Sequence, residues 1–336
     1  MKTIAFFNNK GGVGKTSLVY HVSWMLGELG VRVLAADLDP QANLSSMFLD
    51  EERLEQLWPE GDHPGSILGV ISPILRGVGD IGDPAVEIVS DNIALVVGDL
   101  GLSSFEDRLS DAWPRCHSRD EAAFRTTTAF YRALERAAME FEAEVVLIDV
   151  GPNLGAINRS AIIASDYVVI PLAPDLFSVQ GLRNLGPTLR DWRKTWQELR
   201  PKNPNPSLSL PKGTMTPVGY VTLQPAMRLD RPVKAYGRWM SRIPAVYREA
   251  VLDESTLACP HYDSDPHSLA TLKHYRSLMP MAMEARKPMF FLRPADGAIG
   301  SHATAAYDCY LDFKALTTKI AERCGISVTD SATVSS

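Results

Sequence analysis

Cysteine is scarce in this chain and never paired in sequence. The four present, Cys116, Cys259, Cys309 and Cys324, form no CxxC spacing, which excludes a zinc knuckle or a disulfide framework and makes a reducing, cytoplasmic setting the expectation. Long apolar runs are also missing. Nothing approaches the roughly 18 uninterrupted residues that a spanning helix needs, and the N-terminus runs directly into a strand pattern, so neither a membrane span nor a signal peptide is expected. No internal repeat is visible. With 45% hydrophobic and 22% charged residues, the composition gives no sign of extensive disorder and suits a globular protein.

Charge of one sign is unevenly spread. The chain carries a net −6, yet residues 183–249 hold thirteen Lys and Arg against four acids. An acidic protein with one strongly basic segment presents a basic face of the kind a polyanion such as DNA selects.

The runs Thr3–Phe7, Val31–Ala36, Ile93–Val97, Val145–Ile148, Tyr167–Ile170 and Val218–Val221 are short, β-branched and unalternating, as parallel strands covered on both faces should be. Helical patterns separate most of them. Leu18, Val19, Val22, Met25, Leu26 and Leu29 recur at spacings of three and four, and Gly30 stands where a left-handed cap belongs. Strands alternating with helices predict an α/β fold, a doubly wound, mostly parallel sheet with helices on both faces and ligands beyond the strand C-termini. Residues 1–325 are expected to form one elaborated domain, with elaborations at about 50–90 and 200–275. The polar residues 326–336 are expected as a frayed tail.

Between the first strand and the first helix lies KGGVGKTS, Lys10 to Ser17. Gly11, Gly12 and Gly14 let the main chain approach phosphate oxygens without a Cβ clash, and the amides from Val13 to Ser17 converge at a helix N-terminus. Lys15 is placed to reach the β and γ phosphates of ATP, and the Thr16 hydroxyl to ligate Mg²⁺. Two further strand ends carry acids: AADLDPQANLSS, with Asp37 and Asp39, and EVVLIDVGPNLG, with Asp149. A buried strand ending in a carboxylate delivers that group to Mg²⁺ at the sheet edge.

Asn9 replaces the first glycine of the usual phosphate-loop pattern and is followed by a second lysine. With that departure, KGGVGKT resembles the deviant Walker A box of the ParA/MinD family of ATPases, and DLDPQAN resembles that family's D-x-D-P-Q-x-N box. The resemblance spans most of the chain and is weakest at 50–90 and 230–275. It implies that Lys10 reaches across an ATP-dependent sandwich homodimer to the partner's phosphates. It also implies that Asp39 activates the attacking water, that Asp37 supports the Mg²⁺ shell, and that Asp149 is the Mg²⁺ partner. The Asp149–Val150–Gly151–Pro152 sequence departs mildly from the family's D-x-P-P. SDYVVIPLAPDLFSVQGL, with a helix from about Phe177, looks like the family's dimer-interface and partner-sensing segment. Adenine contacts by resemblance fall on Gln224 and the Pro294–Gly297 loop.

Within the family, a nitrogenase-type iron protein needs cluster cysteines that DVGPNLG lacks, and the tyrosine-rich tail of bacterial tyrosine kinases is missing, since no tyrosine follows Tyr310. A MinD-like membrane positioner needs a basic amphipathic C-terminal helix. Residues 303–323 offer Tyr307, Tyr310, Leu311, Phe313 and Leu316, but Asp308, Asp312 and Glu322 dilute the positive charge, and core packing is the better reading. An ATP-dependent ligase or synthetase of the same fold would need acceptor residues that are not identifiable. The basic segment favours a ParA-like partition ATPase with nonspecific DNA binding. Its candidate contacts are Arg190, Arg193, Lys194 and Arg200, interleaved with Trp192 and Trp196, and then Arg228, Arg231, Lys234, Arg238 and Arg242. With Met1 nine residues before Lys10, no helix-turn-helix is expected ahead of the phosphate loop. A ParB-like or cargo adaptor and nucleoid association in the ATP state are the implied context.

Overall fold

Apolar segments with no polar face can be buried only if both sides are covered, and the sheet formed here satisfies that demand. The computed structural model describes residues 1–224, 233–255, 261–275 and 277–329, with side chains described from residue 237 in the second stretch. Its strands are β1 (Lys2–Phe6), β2 (Val33–Asp37), β3 (Glu87–Ser90), β4 (Ile93–Val96), β5 (Val145–Asp149), β6 (Tyr167–Leu172), β7 (Thr216–Leu223) and β8 (Ser268–Leu272). They form one sheet in the order β3-β4-β2-β5-β1-β6-β7-β8. Every pairing is parallel except that of β3 with β4.

Successive side chains of a strand point to opposite faces. On β2, Leu34 and Ala36 enter one core while Val33 and Ala35 enter the other; on β5, Val146 and Ile148 oppose Val145 and Leu147. The helices Ala129–Phe141, Ala156–Ile163 and Leu176–Leu199 cover the first face, and Lys15–Glu28 with Ser301–Cys324 covers the second. The doubly wound expectation holds, and the six strands read from apolar runs are all present. The two missed are edge strands. β3 exposes Ile88 and pairs through a bulge, and β8 (SLATL) is only partly covered, so neither carries the continuous apolar signal of a central strand.

The 50–90 region holds the short helices Glu51–Leu57 and Ile67–Arg76 and then β3. It is tied to the body by Asp80, which accepts from both guanidinium arms of buried Arg132 at 2.8 and 2.7 Å. The 200–275 region supplies to the sheet β7, which contains the Val218–Val221 run, and β8. It also supplies the six-residue π-helix Tyr247–Leu252, which lies against the Leu176–Leu199 helix at Gly186. A Cβ there would stand 2.0 Å from the Ala250 carbonyl oxygen, so only glycine permits the approach.

At the C-terminus the structure adds detail to two expectations. The terminal helix buries Cys309, Phe313, Leu316 and Ile320 as core packing requires, but Tyr307 and Leu311, counted among its apolar positions, are 63% and 46% exposed. Residues 326–329, the described part of the expected tail, rest against the body. The Ile326 amide donates to Ala321, the Thr329 amide and hydroxyl both donate to the Leu29 carbonyl at 3.0 and 2.9 Å, and Ile326 and Val328 pack on the second core. That contact satisfies a carbonyl at the end of the phosphate-loop helix. Among the described residues, no helix is long and apolar enough to cross a membrane.

Candidate functional site

The parallel register brings three strand ends side by side. Phe6 and Asp37 are both Cα partners of Asp149, so the loop leaving β1 and the two acids closing β2 and β5 lie at one edge of the sheet. β1 sits between β5 and β6, the reversal point where doubly wound sheets open a crevice.

In the loop, Gly12 and Gly14 adopt φ of 71° and 72°, the left-handed region that glycine enters without strain. Gly14 then caps the Lys15–Glu28 helix, whose first bond runs from the Leu18 amide to Gly14. A Cβ on Gly14 would meet Leu223 at 2.6 Å, whereas one on Gly11 would find nothing nearer than Pro152 at 3.9 Å and one on Gly12 nothing within 4 Å. The bare backbone at Gly11 and Gly12 therefore faces open space, as a cradle for phosphates must. A cavity of about 700 Å³ opens there, with Lys15, Thr16, Asp39, Pro152 and Lys287 in its wall. A second of about 370 Å³ adjoins it, bounded by Val13, Leu18, Leu223, Gln224, Tyr275 and Phe313. Gln224 is thus brought beside the phosphate loop, while Pro294 lines neither cavity. The turn beginning at Pro294 contributes indirectly, through Asp296, whose carboxylate takes the Lys287 ammonium at 2.7 Å.

The three carboxylates differ in environment. Asp37 is fully buried but satisfied: one oxygen accepts from the Ser45 amide and hydroxyl, both at 2.8 Å, and the other from the Asp39 amide at 3.3 Å. Burial raises its pKa to about 6. Gly98 permits this packing, since a Cβ there would lie 2.7 Å from Asp37 Cγ, and its amide donates to Ser45 Oγ at 2.8 Å. Asp39, 7% exposed, accepts from the Gln41 amide at 3.0 Å and faces the cavity. Asp149 is fully buried, and neither of its oxygens has a hydrogen-bond partner at bonding distance among the described residues. Burial first and Asp37 second push its pKa well above the usual carboxylate range, with Thr16 and Lys15 pulling the other way. A carboxylate so placed suits a cation, whereas both Asp37 oxygens already accept hydrogen bonds, from Ser45 and Asp39. Lys15 sends its ammonium to the Lys10 carbonyl at 3.2 Å, and burial lowers its pKa against the attraction of Asp149 and Asp39.

Lys10 lies apart from this cluster. Its ammonium pairs with Asp175 and sits 5.9 Å from the Phe177 ring centre. Asp175 also caps the Leu176–Leu199 helix by accepting from the Ser178 amide at 2.8 Å. Leu176 and Phe177 stay 51% and 72% exposed next to it.

The basic residues separate into two groups. Arg190 donates to the Ala250 carbonyl and Arg193 to that of Met215, and burial lowers the Arg193 pKa. Those guanidiniums serve the fold rather than standing outward, and Trp192 and Trp196 are core residues, the latter donating to the Pro211 carbonyl at 3.1 Å. Lys194, Arg200, Arg238 and Arg242 are exposed. Arg238 and Arg242 both lie over the Trp239 ring, at 5.4 and 5.1 Å from its centre. Arg228, Arg231 and the Lys234 side chain fall outside the described residues.

Sequence reasoning did not assign Ser45, Gly98, Asp175, Lys287 or His21. Asp175 was findable, as an Asp opening an apolar helical pattern; Gly98 and Lys287 were not, because only the fold brings them to the loop. His21 holds the phosphate-loop helix to the rest of the second core. Its Nδ1 donates to the Ser17 carbonyl at 2.7 Å, its Nε2 accepts from the Met289 amide at 3.2 Å, and its ring stacks on Phe313. Burial lowers its pKa to about 4 from 6.5. Because the folded state resists protonation, this histidine's contribution to stability is intact above pH 6.5 and is lost as pH falls through about 4, to the extent of about 3 kcal/mol. Asp37, with its raised pKa, acts in the opposite sense below pH 6. His21→Gln keeps a donor and an acceptor but does not titrate. Urea midpoints of wild type and variant are therefore expected to converge as pH is lowered from 7 to 5, and parallel lines would refute the assignment.

A family model described as an AAA domain matches residues 1–201. Protein IncC of Escherichia coli is 30% identical over 194 residues, 58% of this chain and 47% of that protein. The chromosome partitioning protein ParA of Caulobacter vibrioides is 29% identical over 189 residues, 56% of this chain and 62% of that protein. The match thus spans about half to two thirds of these relatives. The ATP complex of McdA from Cyanothece superposes with a TM-score of 0.63 at 16% identity, covering 98% of both chains, and so shares the fold.

Proposed function

Because the chain belongs to the ParA/MinD family of P-loop ATPases, we propose that it binds ATP over the Lys10–Ser17 loop and dimerises face to face around the nucleotide. In that state it binds DNA without sequence preference until hydrolysis releases it. The observation that carries this reading is the meeting of Lys15, Thr16, Asp39 and Asp149 at three adjacent strand ends, beside glycines whose backbone faces open space.

The amides after Gly12 and the Lys15 ammonium bind the β and γ phosphates, and Thr16 with Asp149 holds Mg²⁺, which when bound neutralises phosphate charge. Asp37 keeps Asp149 and Asp39 in register through the Ser45 bonds. Asp39 orients the attacking water, a task that needs a held geometry more than a strong base. Gln224 and the second cavity receive the base. Lys10 exchanges Asp175 for the partner's phosphates on dimerisation, and the exposed Leu176 and Phe177 become part of the joint. Lys194, Arg200, Arg238 and Arg242 form the DNA-facing set, and an adaptor protein stimulates hydrolysis. The output is partition or positioning of a DNA or other cargo in the cytoplasm, with the ATP form on the nucleoid.

The test is DNA binding without nucleotide, with ADP, with ATP and with a slowly hydrolysed analogue, across a salt series. Binding is expected only with triphosphate, weakening on the order of 100-fold between 50 and 200 mM salt. It should be lost in Lys10→Ala, kept in Asp39→Ala, and weakened in Arg238→Ala/Arg242→Ala. No binding in any nucleotide state would end the DNA reading.

A further inference from the structure

The loop that follows Asp149 forms part of the cavity wall. Gly151 packs on Asp39, with a Cβ there falling 3.3 Å from Oδ1, and Pro152 lies over Gly11. Nothing in residues 150–155 is regular structure, so the loop's position depends on what holds its far end. Two side chains do so. Asn158 donates through Nδ2 to the carbonyls of Gly151 and Asn153, both at 2.7 Å. Glu106 places one oxygen 2.6 Å from the Ala156 amide and the other 2.9 Å from the Ile157 amide.

Those amides open the Ala156–Ile163 helix and have no acceptor within it. Their acceptor comes instead from a residue some fifty positions earlier, at the first turn of the Glu106–Arg115 helix. Gly155 is what allows it, because a Cβ there would stand 2.6 Å from the Glu106 oxygen. The carboxylate thus sits at the positive ends of two helices. Its own anchor is rigid: the preceding Phe105 is fully buried against Phe130, with ring centres 5.6 Å apart. The segment carrying Glu106 also begins at Gly98, the residue bonded to Ser45 behind Asp37. One short stretch, 98–106, therefore holds both acid-bearing loops.

We propose that Glu106 is a positioning residue for the nucleotide site, fixing the 150–155 loop so that Gly151 and Pro152 stay against Asp39 and Gly11 when the γ phosphate is present. Glu106 does not line the cavity, so its effect falls on how the loop is held and not on nucleotide contact. The proposal rests on the ATPase reading, and its test is chosen to separate the two.

Steady-state kinetics for Mg-ATP and hydrogen exchange of the loop amides, with and without a slowly hydrolysed ATP analogue, are compared in wild type, Glu106→Ala and Glu106→Gln. In Glu106→Ala, kcat is expected to fall by about 10-fold or more while KM moves less than about 3-fold. The analogue-induced protection of Gly151 and Asn153–Gly155 should fall by about 10-fold. Glu106→Gln, which retains one acceptor oxygen, should lie between, and it carries the comparison if the alanine variant does not fold. Unchanged kcat and protection with only a lowered Tm would overturn the proposal and leave Glu106 a helix cap. Wild type that binds ATP without turnover would overturn the ATPase reading, and the exchange result alone would then judge Glu106.

Discussion

Asp149→Asn is expected to raise the Tm of the nucleotide-free protein by about 5 °C while removing the dependence of ATP binding on Mg²⁺. The two effects share a cause. In the free protein Asp149 is a fully buried carboxylate without a hydrogen-bond partner among the described residues, and its strand neighbour is a second buried acid, Asp37. A buried charge left in that state costs on the order of 2 kcal/mol or more, which a neutral amide of the same shape largely relieves. For a domain of this size each kcal/mol moves the Tm by about 2–3 °C. The same neutralisation deletes the group best placed to hold the metal. Scanning calorimetry with and without Mg-ATP reads both. A destabilised variant, or one that still binds ATP more tightly with Mg²⁺, would show that Asp149 is a structural acid.

Lys15→Ala should lower ATP affinity by at least about 100-fold, since it deletes the cation at the phosphate end of the cavity while leaving the backbone cradle in place. Its second effect is on the protein without ligand. Lys15 is attracted by Asp149 and Asp39, so its loss leaves those acids with less compensation. The stability gained from Asp149→Asn is therefore expected to be larger in the Lys15→Ala background than in wild type, a coupling that a double-mutant cycle isolates. Equal gains in both backgrounds would mean that ammonium and carboxylate do not interact across the loop. Titration calorimetry of the lysine variant supplies the affinity, and near-normal binding would remove Lys15 from the site.

The sequence carried most of the nucleotide site because that site is local. The glycines, Lys15 and Thr16 act through one turn of backbone, Asp149 closes an apolar strand and Asp39 lies two residues past the end of another; the role expected of Asp39 came from the resemblance of its DLDPQAN box. The central strands were legible for a related reason: covered on both faces, they have no choice but continuous apolar composition. β3 and β8 were hidden because an edge strand meets no such demand. The basic segment illustrates the limit of composition. Counting charges places Arg190 and Arg193 beside Arg238 and Arg242, but the first two donate to carbonyls inside the fold and the last two are exposed over the partly buried Trp239.

By itself, then, the sequence determined a phosphate-binding turn, the acids that accompany it and a parallel α/β sheet, since each is written in residues close together along the chain. Only the tertiary structure decided which acid is satisfied, because Ser45 and Gly98 reach Asp37, whereas among the described residues neither Asp149 oxygen has a hydrogen-bond partner. It also decided that Lys10 rests on Asp175 and that Glu106 holds the loop after Asp149. Those pairings join residues 165 and about fifty positions apart, and a contact of that separation follows from strand order and helix packing, which no local pattern specifies.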